Sequence, residues 1–246
     1  MKITLSVDSY KGVDGSSLSS TRCTQIVQVF EMLEELGNKK INYVGIQEEA
    51  DKRKLFGKTG AKSAIRTFFP LLKKIHFVDY DGEFPANTCF TELGAQFVLA
   101  SRALDNVTDE TPHKEEIIKR LKSIKSDAQK QGLINMYNDP DYKEHNMWIV
   151  LKLLKQFKLI HWNEFLYSLH CFELGDTMEE AIEKISKNRK KISTYTFTNE
   201  EGNTLPNTCY SYLRSYLEEA GLISKVSPLE SKLLEEADKF YSYISI

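Results

Sequence analysis

Five histidines, His76, His113, His145, His161 and His170, are the first residues in this chain to test for chemistry. No two stand at the HxH or HxxxH spacing that puts two imidazoles on one metal ion. There is no HExxH, Walker loop, GxGxxG or GxSxG stretch either. His161 and His170 share one short segment, but nine residues apart they do not face a common site. A metal-dependent nuclease needs two or three acidic groups and a lysine around a metal-bound water. The one Glu-x-Lys is Glu230-Ser231-Lys232. Ser227, Pro228 and Glu230 read as the opening of a helix, with Glu230 as its cap, and no strand-borne Asp precedes it. The sequence therefore shows no catalytic residue, no metal ligand and no cofactor site. Mg2+ would enter only with a nuclease partner or domain.

Binding chemistry is more visible. The net charge is −2, so any surface for nucleic acid must be local. Lys58, Lys62, Arg66, Lys73 and Lys74 cluster on and around a helix predicted over 59–75. On a helical wheel Ile65, Phe68 and Leu72 fall on one side, and Lys62, Arg66 and Lys73 on another. Such a face can neutralise phosphates, and Arg66 can pair with guanine through two hydrogen bonds. Asn207, Ser211 and Arg214 form the corresponding set in the second half, turned away from Tyr210, Leu213 and Leu217.

These residues need elements to hold them. Ile3, Leu5 and Val7 alternate like a strand before the chain dissolves into Gly and Ser, so residues 1–20 read as an arm. Helices follow over 21–37 and within 41–57. Pro70 removes a backbone donor and predicts that the 59–75 helix kinks or ends near Phe69. A strand over 76–80, a turn over 81–88 marked by Asp81-Gly82, a short strand at Cys89 and Phe90, and a helix from Thr91 to Leu104 complete the order of a winged helix-turn-helix. The wing, Asp81 to Thr88, would touch the DNA backbone.

Residues 108–142 read as a helical connector, with a helix over 111–132 that has a Thr111 cap and Pro112 at its first position. The second half gives helices over 143–160, 161–175, 177–192 and 227–244. A helix and a strand fall within 206–226, with no complete wing, because Val226 leads directly into the last helix. The fold class is mainly α with small β wings, an α+β chain. It comprises an arm (1–20), a winged-helix domain (21–107), the connector (108–142) and a winged-helix-like domain (143–246).

The N-terminal stretch carries no signal-peptide pattern, and no apolar run approaches membrane-spanning length. Cys23, Cys89, Cys171 and Cys209 are scattered and form no CxxC pair. They read as small buried hydrophobes in a reducing compartment, which makes a cytoplasmic protein the expectation.

Several stretches resemble the DNA-recognition region of type IIS restriction and nicking endonucleases. Residues 24–33 are similar to that family's first helix. Residues 68–104 look like its helix, aromatic strand, wing and "T-x-x-G" helix. Residues 147–170 and 210–226 resemble its second subdomain. The resemblance covers most of 20–226 and implies tandem winged-helix subdomains that bind double-stranded DNA in a bacterial restriction system, with a nuclease domain or subunit as partner. The chain is then a recognition subunit or a fragment of a larger enzyme. A helical protein-interaction subunit, a winged-helix transcriptional regulator and a nuclease with an unrecognised active site are the alternatives.

Overall fold

The computed structural model describes residues 1–6, 18–57, 60–139, 146–205 and 208–244, without the side chains of Thr208, Cys209 and Glu236. The chain is mainly helical with small sheets. It forms two compact units, Asp14–Asp139 and a second made of Met1–Val13 with Pro140–Ile246. No helix among the described residues is long and apolar enough to cross a membrane.

In the Asp14–Asp139 unit, helix α1 (Ser20–Leu36) starts where the Ser19 side chain accepts from Arg22 N–H. It buries Cys23, Ile26, Val27, Val29, Met32 and Leu33. Gly37, at φ 55°, ends it in a positive-φ conformation that glycine adopts at little cost. Strand β2 (Lys40–Ile41) follows strand β1 (Lys2–Thr4) in the chain and leads into α2 (Tyr43–Lys52), which Asn42 caps. Helix α3 (Ala61–Lys74) has no cap of its own at Gly60. Asp51 Oδ1, from the end of α2, accepts from Lys62 N–H at 3.0 Å instead. That bond fastens the start of α3 to the helix before it.

Pro70 does not end α3. The helix runs through it to Lys74. Phe68, Phe69, Leu71 and Leu72 are all buried on either side of the proline, and their packing offsets one missing hydrogen bond.

The strand expected over 76–80 is absent. Only a single bridge pairs Val78 with Phe90, and Phe77 and Val78 donate backbone N–H to Leu72 O instead. Within the expected wing, β3 (Phe84–Pro85) pairs antiparallel with β2, with Lys40 opposite Pro85 and Ile41 opposite Phe84. Thr91 caps α4 (Glu92–Asp105) by accepting from Gly94 N–H at 3.1 Å, and its hydroxyl donates to His76 O at 2.6 Å. Gly94 is required by space, since a Cβ there would stand 2.0 Å from Phe77 O. The Thr-x-x-Gly stretch is thus a clamp between α4 and the segment after α3.

The helix expected over 111–132 is longer and starts later, as α5 (Lys114–Asn138), behind His113 at φ 54°. Thr111 does not cap it; its Oγ1 accepts from Thr108 N–H at 3.0 Å. The C-terminal half of α5 buries Ala128, Leu133, Met136 and Tyr137, and α5 packs chiefly on α4.

In the other unit, β1 pairs parallel with β5 (Thr196–Thr198), with Ile3 opposite Phe197. Ile3 and Leu5 are buried. The start of the expected arm is therefore a core strand, whereas Val7 lies outside the described residues.

Helix α6 (Asn146–Phe157) gives way to β4 (Leu159–His161), a strand hidden in the apolar run that reads as helix. Helix α7 (Trp162–Glu173) opens with a box in which His161 Nδ1 accepts from Asn163 N–H and Glu164 accepts from His161 N–H. Helix α8 (Met178–Ile192) opens with the Thr177/Glu180 capping box that its spacing announces.

After α9 (Thr208–Glu219), strands β6 (Ile223–Ser227) and β7 (Glu230–Leu233) form a hairpin. With β4 they make a three-stranded antiparallel sheet in the order β4-β7-β6. The helix expected over 227–244 is therefore a turn, a strand and a 3-10 segment over Glu235–Ser242. Ser227 Oγ donates to Glu230 Oε2 at 3.1 Å. The Ser-x-x-Glu spacing that mimics a helix cap here closes the hairpin.

Candidate nucleic-acid interface

The predicted basic helix exists, and α2 positions it. Arg66 is exposed on α3, and its Nε donates to Gln47 Oε1 of α2 at 3.1 Å. Gln47 itself is buried. Lys62 is half-buried in the first turn of α3, where its backbone N–H is held by Asp51. Lys73 and Lys74 occupy the last turn, where positive charge suits the helix dipole. Lys73 is ion-paired with Asp81, and its Nζ lies 4.8 Å from the Tyr80 ring centroid.

Tyr80 stacks on Tyr43 at 4.6 Å between centroids. Burial pushes the Tyr43 phenol up, and the Arg66 guanidinium partly opposes that shift. Arg66, Tyr43, Tyr80 and Lys73 thus form one basic and aromatic strip along α3. Gln47 and the two tyrosines complete it. They escape the helical wheel because they come from α2 and from the segment after α3.

The segment expected to be the wing is acidic. Asp79, Asp81 and Glu83 are all exposed, and Gly82 turns it at φ 70°. Carboxylates on that edge repel phosphates. Arg53 is neutralised by Glu49 at 2.9 Å and Glu35 at 2.5 Å.

Lys58 and Asn207 lie outside the described residues. Ser211 is half-buried on α9. Arg214 does not face away from the core, as its wheel position suggests. It is buried, and its Nη1 donates to Pro228 O at 2.5 Å. Its guanidinium holds the β6–β7 turn, a contact that i+4 spacing along α9 cannot reveal. The remaining surface of α9 carries Tyr212, Ser215, Glu218 and Glu219.

In the basic run at the end of α8, Lys190 and Lys191 are exposed, and the other two cations are paired. Lys187 pairs with Glu183, and Arg189 pairs with buried Glu164 at 2.5 Å. Glu230 and Lys232 lie on strand β7 rather than at a helix cap. Among the described residues no three His, Cys, Asp or Glu side chains converge to hold a metal ion. Cys89 and Cys171 are buried, and burial pushes both thiols up to about 12. Neither is a nucleophile near neutral pH. No family model matches the chain, and neither a curated protein nor a solved structure matches it.

Proposed function

We propose that the chain binds double-stranded DNA by sequence, as the recognition part of a type IIS-like restriction endonuclease whose cleavage comes from another domain or subunit. The observation that carries this reading is Arg66. It is an exposed guanidinium on the second helix of an α2–α3 pair, held by Gln47, with Lys62 and Lys73 along the same face. On this reading α3 enters the major groove with Lys62 and Arg66, where arginine reads guanine, and Lys73 meets phosphate.

The element order supports reading both units as winged-helix domains. In one, α6, β4, α7, α9 and the β6–β7 hairpin close a sheet in the order β4-β7-β6, with α8 and β5 inserted. In the other, α1, β2, α2 and α3 precede the Val78–Phe90 bridge and the β2–β3 pair. Arg66→Ala and Lys62→Ala test the assignment. Arg66→Ala should weaken specific binding by roughly 1–3 kcal/mol, and Lys62→Ala should lower the salt slope by about 1. Unchanged affinity in both at moderate salt overturns it.

One observation favours a protein-interaction role for the Met1–Val13/Pro140–Ile246 unit. Arg214 is the sole Lys or Arg of α9 and is buried, while Val226 and Leu229 are exposed on the hairpin. On that reading this unit binds a protein partner, and its removal leaves the salt dependence of DNA binding unaltered.

A further inference from the structure

Gln47 holds Arg66 in a way that differs from the other arginines whose partners are carboxylates. Arg53, Arg102, Arg120 and Arg189 are each paired with an acidic side chain. Among the described residues no ion pair involves Arg66; it donates to the neutral Gln47 amide, through Nε at 3.1 Å. Gln47 is 2 % exposed. A buried amide oxygen needs a donor, and Arg66 Nε supplies it.

The consequence lies in which donors remain. Using Nε leaves the two terminal nitrogens, the part of the guanidinium that matches the O6 and N7 acceptors of guanine. A flexible arginine loses rotamer freedom when it docks, and one already held by a buried amide loses less. A carboxylate at position 47 would hold the same nitrogen but would cancel the charge that attracts phosphate. Glutamine orients the fork and keeps its charge.

Resting on the DNA-binding reading above, we propose that Gln47 is a positioning residue that presets Arg66 for two-point recognition of one guanine. The specificity of α3 at that base pair therefore depends on a residue of α2 that does not touch DNA.

The test uses the full chain. A randomised duplex pool is selected for binding, and each guanine of the enriched sequence is replaced in turn by 7-deazaguanine, which lacks the N7 acceptor. Affinities are measured for the unaltered protein, Arg66→Ala, Gln47→Leu and Gln47→Glu. The unaltered protein should show one guanine at which the replacement weakens binding by about fivefold to tenfold. Arg66→Ala should abolish that penalty and Gln47→Leu should shrink it to about twofold. Gln47→Glu should keep it while binding the parent duplex more weakly, which a purely structural role for Gln47 does not produce.

A full penalty in Gln47→Leu, with loss in Arg66→Ala, overturns the positioning role and leaves the DNA reading standing. So does loss of the penalty in Gln47→Glu, whether or not Gln47→Leu folds. No guanine whose penalty Arg66→Ala removes overturns the role of Arg66 as reader. A pool without any enriched sequence overturns the DNA reading itself.

Discussion

Arg189→Met should destabilise the unit that holds β4, α7 and α8 by about 3 kcal/mol. Glu164 is buried, and Arg189 reaches its two oxygens from Nε at 2.5 Å and from Nη2 at 3.0 Å. The same Nη2 donates to Leu159 O at 2.5 Å, tying α8 to the start of β4. Methionine keeps the apolar stem on Phe157, whose ring centroid lies 4.6 Å from the guanidinium carbon. What is lost is the charge and its hydrogen bonds to Glu164 and Leu159 O, and among the described residues the buried carboxylate keeps the His161 N–H at 2.8 Å.

Breaking a fully buried pair from one side costs about 3–5 kcal/mol. Here the arginine side chain is 36 % exposed, so water reaches it and the lower end applies. For a chain of this length that corresponds to a fall in Tm of about 6–12 °C. Both tryptophans, Trp148 and Trp162, lie in this unit, so their fluorescence follows its unfolding in a thermal or urea titration. Glu164→Gln together with Arg189→Met removes both charges and keeps an acceptor for His161, so it should return to within about 1 kcal/mol of the unaltered protein. If Arg189→Met alone lies within about 0.5 kcal/mol of it, or the double variant is no better than the single, the reasoning fails.

Gly94→Ala should cost at least about 3 kcal/mol and expose the α4 region to protease, because its methyl collides with Phe77 O; undiminished thermal stability contradicts the packing. Burial holds the His161 imidazole below its ordinary value of 6.5, against the opposing pull of Glu164 and Glu230. The folded chain then binds fewer protons than the unfolded one, so this contribution is intact above pH 6.5 and is lost as pH falls from 6.5 toward the lower folded value. Denaturant titrations of His161→Asn, which keeps a cap acceptor, should be flatter across that window than those of the unaltered protein. Cys89 and Cys171 should resist a thiol reagent at neutral pH until the chain unfolds, and rapid labelling of either in the native state refutes their burial.

What the sequence reveals is what neighbouring residues decide. Thr177 with Glu180 and Thr91 with Gly94 mark helix starts because donor and acceptor lie within one turn. The basic side of α3 is legible for the same reason. What stays hidden depends on partners far along the chain. Strand β1 pairs with β5 after more than half the sequence has passed, and β4 finds β7 beyond three more helices. Ser227 and Glu230 satisfy the spacing of a cap but close a hairpin, since β4 offers β7 an edge that a helix could not use. Arg214 looks exposed on a wheel, yet the β6–β7 turn folds over it. Gln47 is an unremarkable residue of α2 until α3 brings Arg66 beside it.

Sequence-specific DNA binding is the function proposed for this chain. Its most direct test is selection from a randomised duplex pool with the purified chain at physiological salt, followed by sequencing of the bound molecules. A short, asymmetric enriched motif containing a guanine is the predicted result. A bound fraction no different in sequence from the input pool contradicts it.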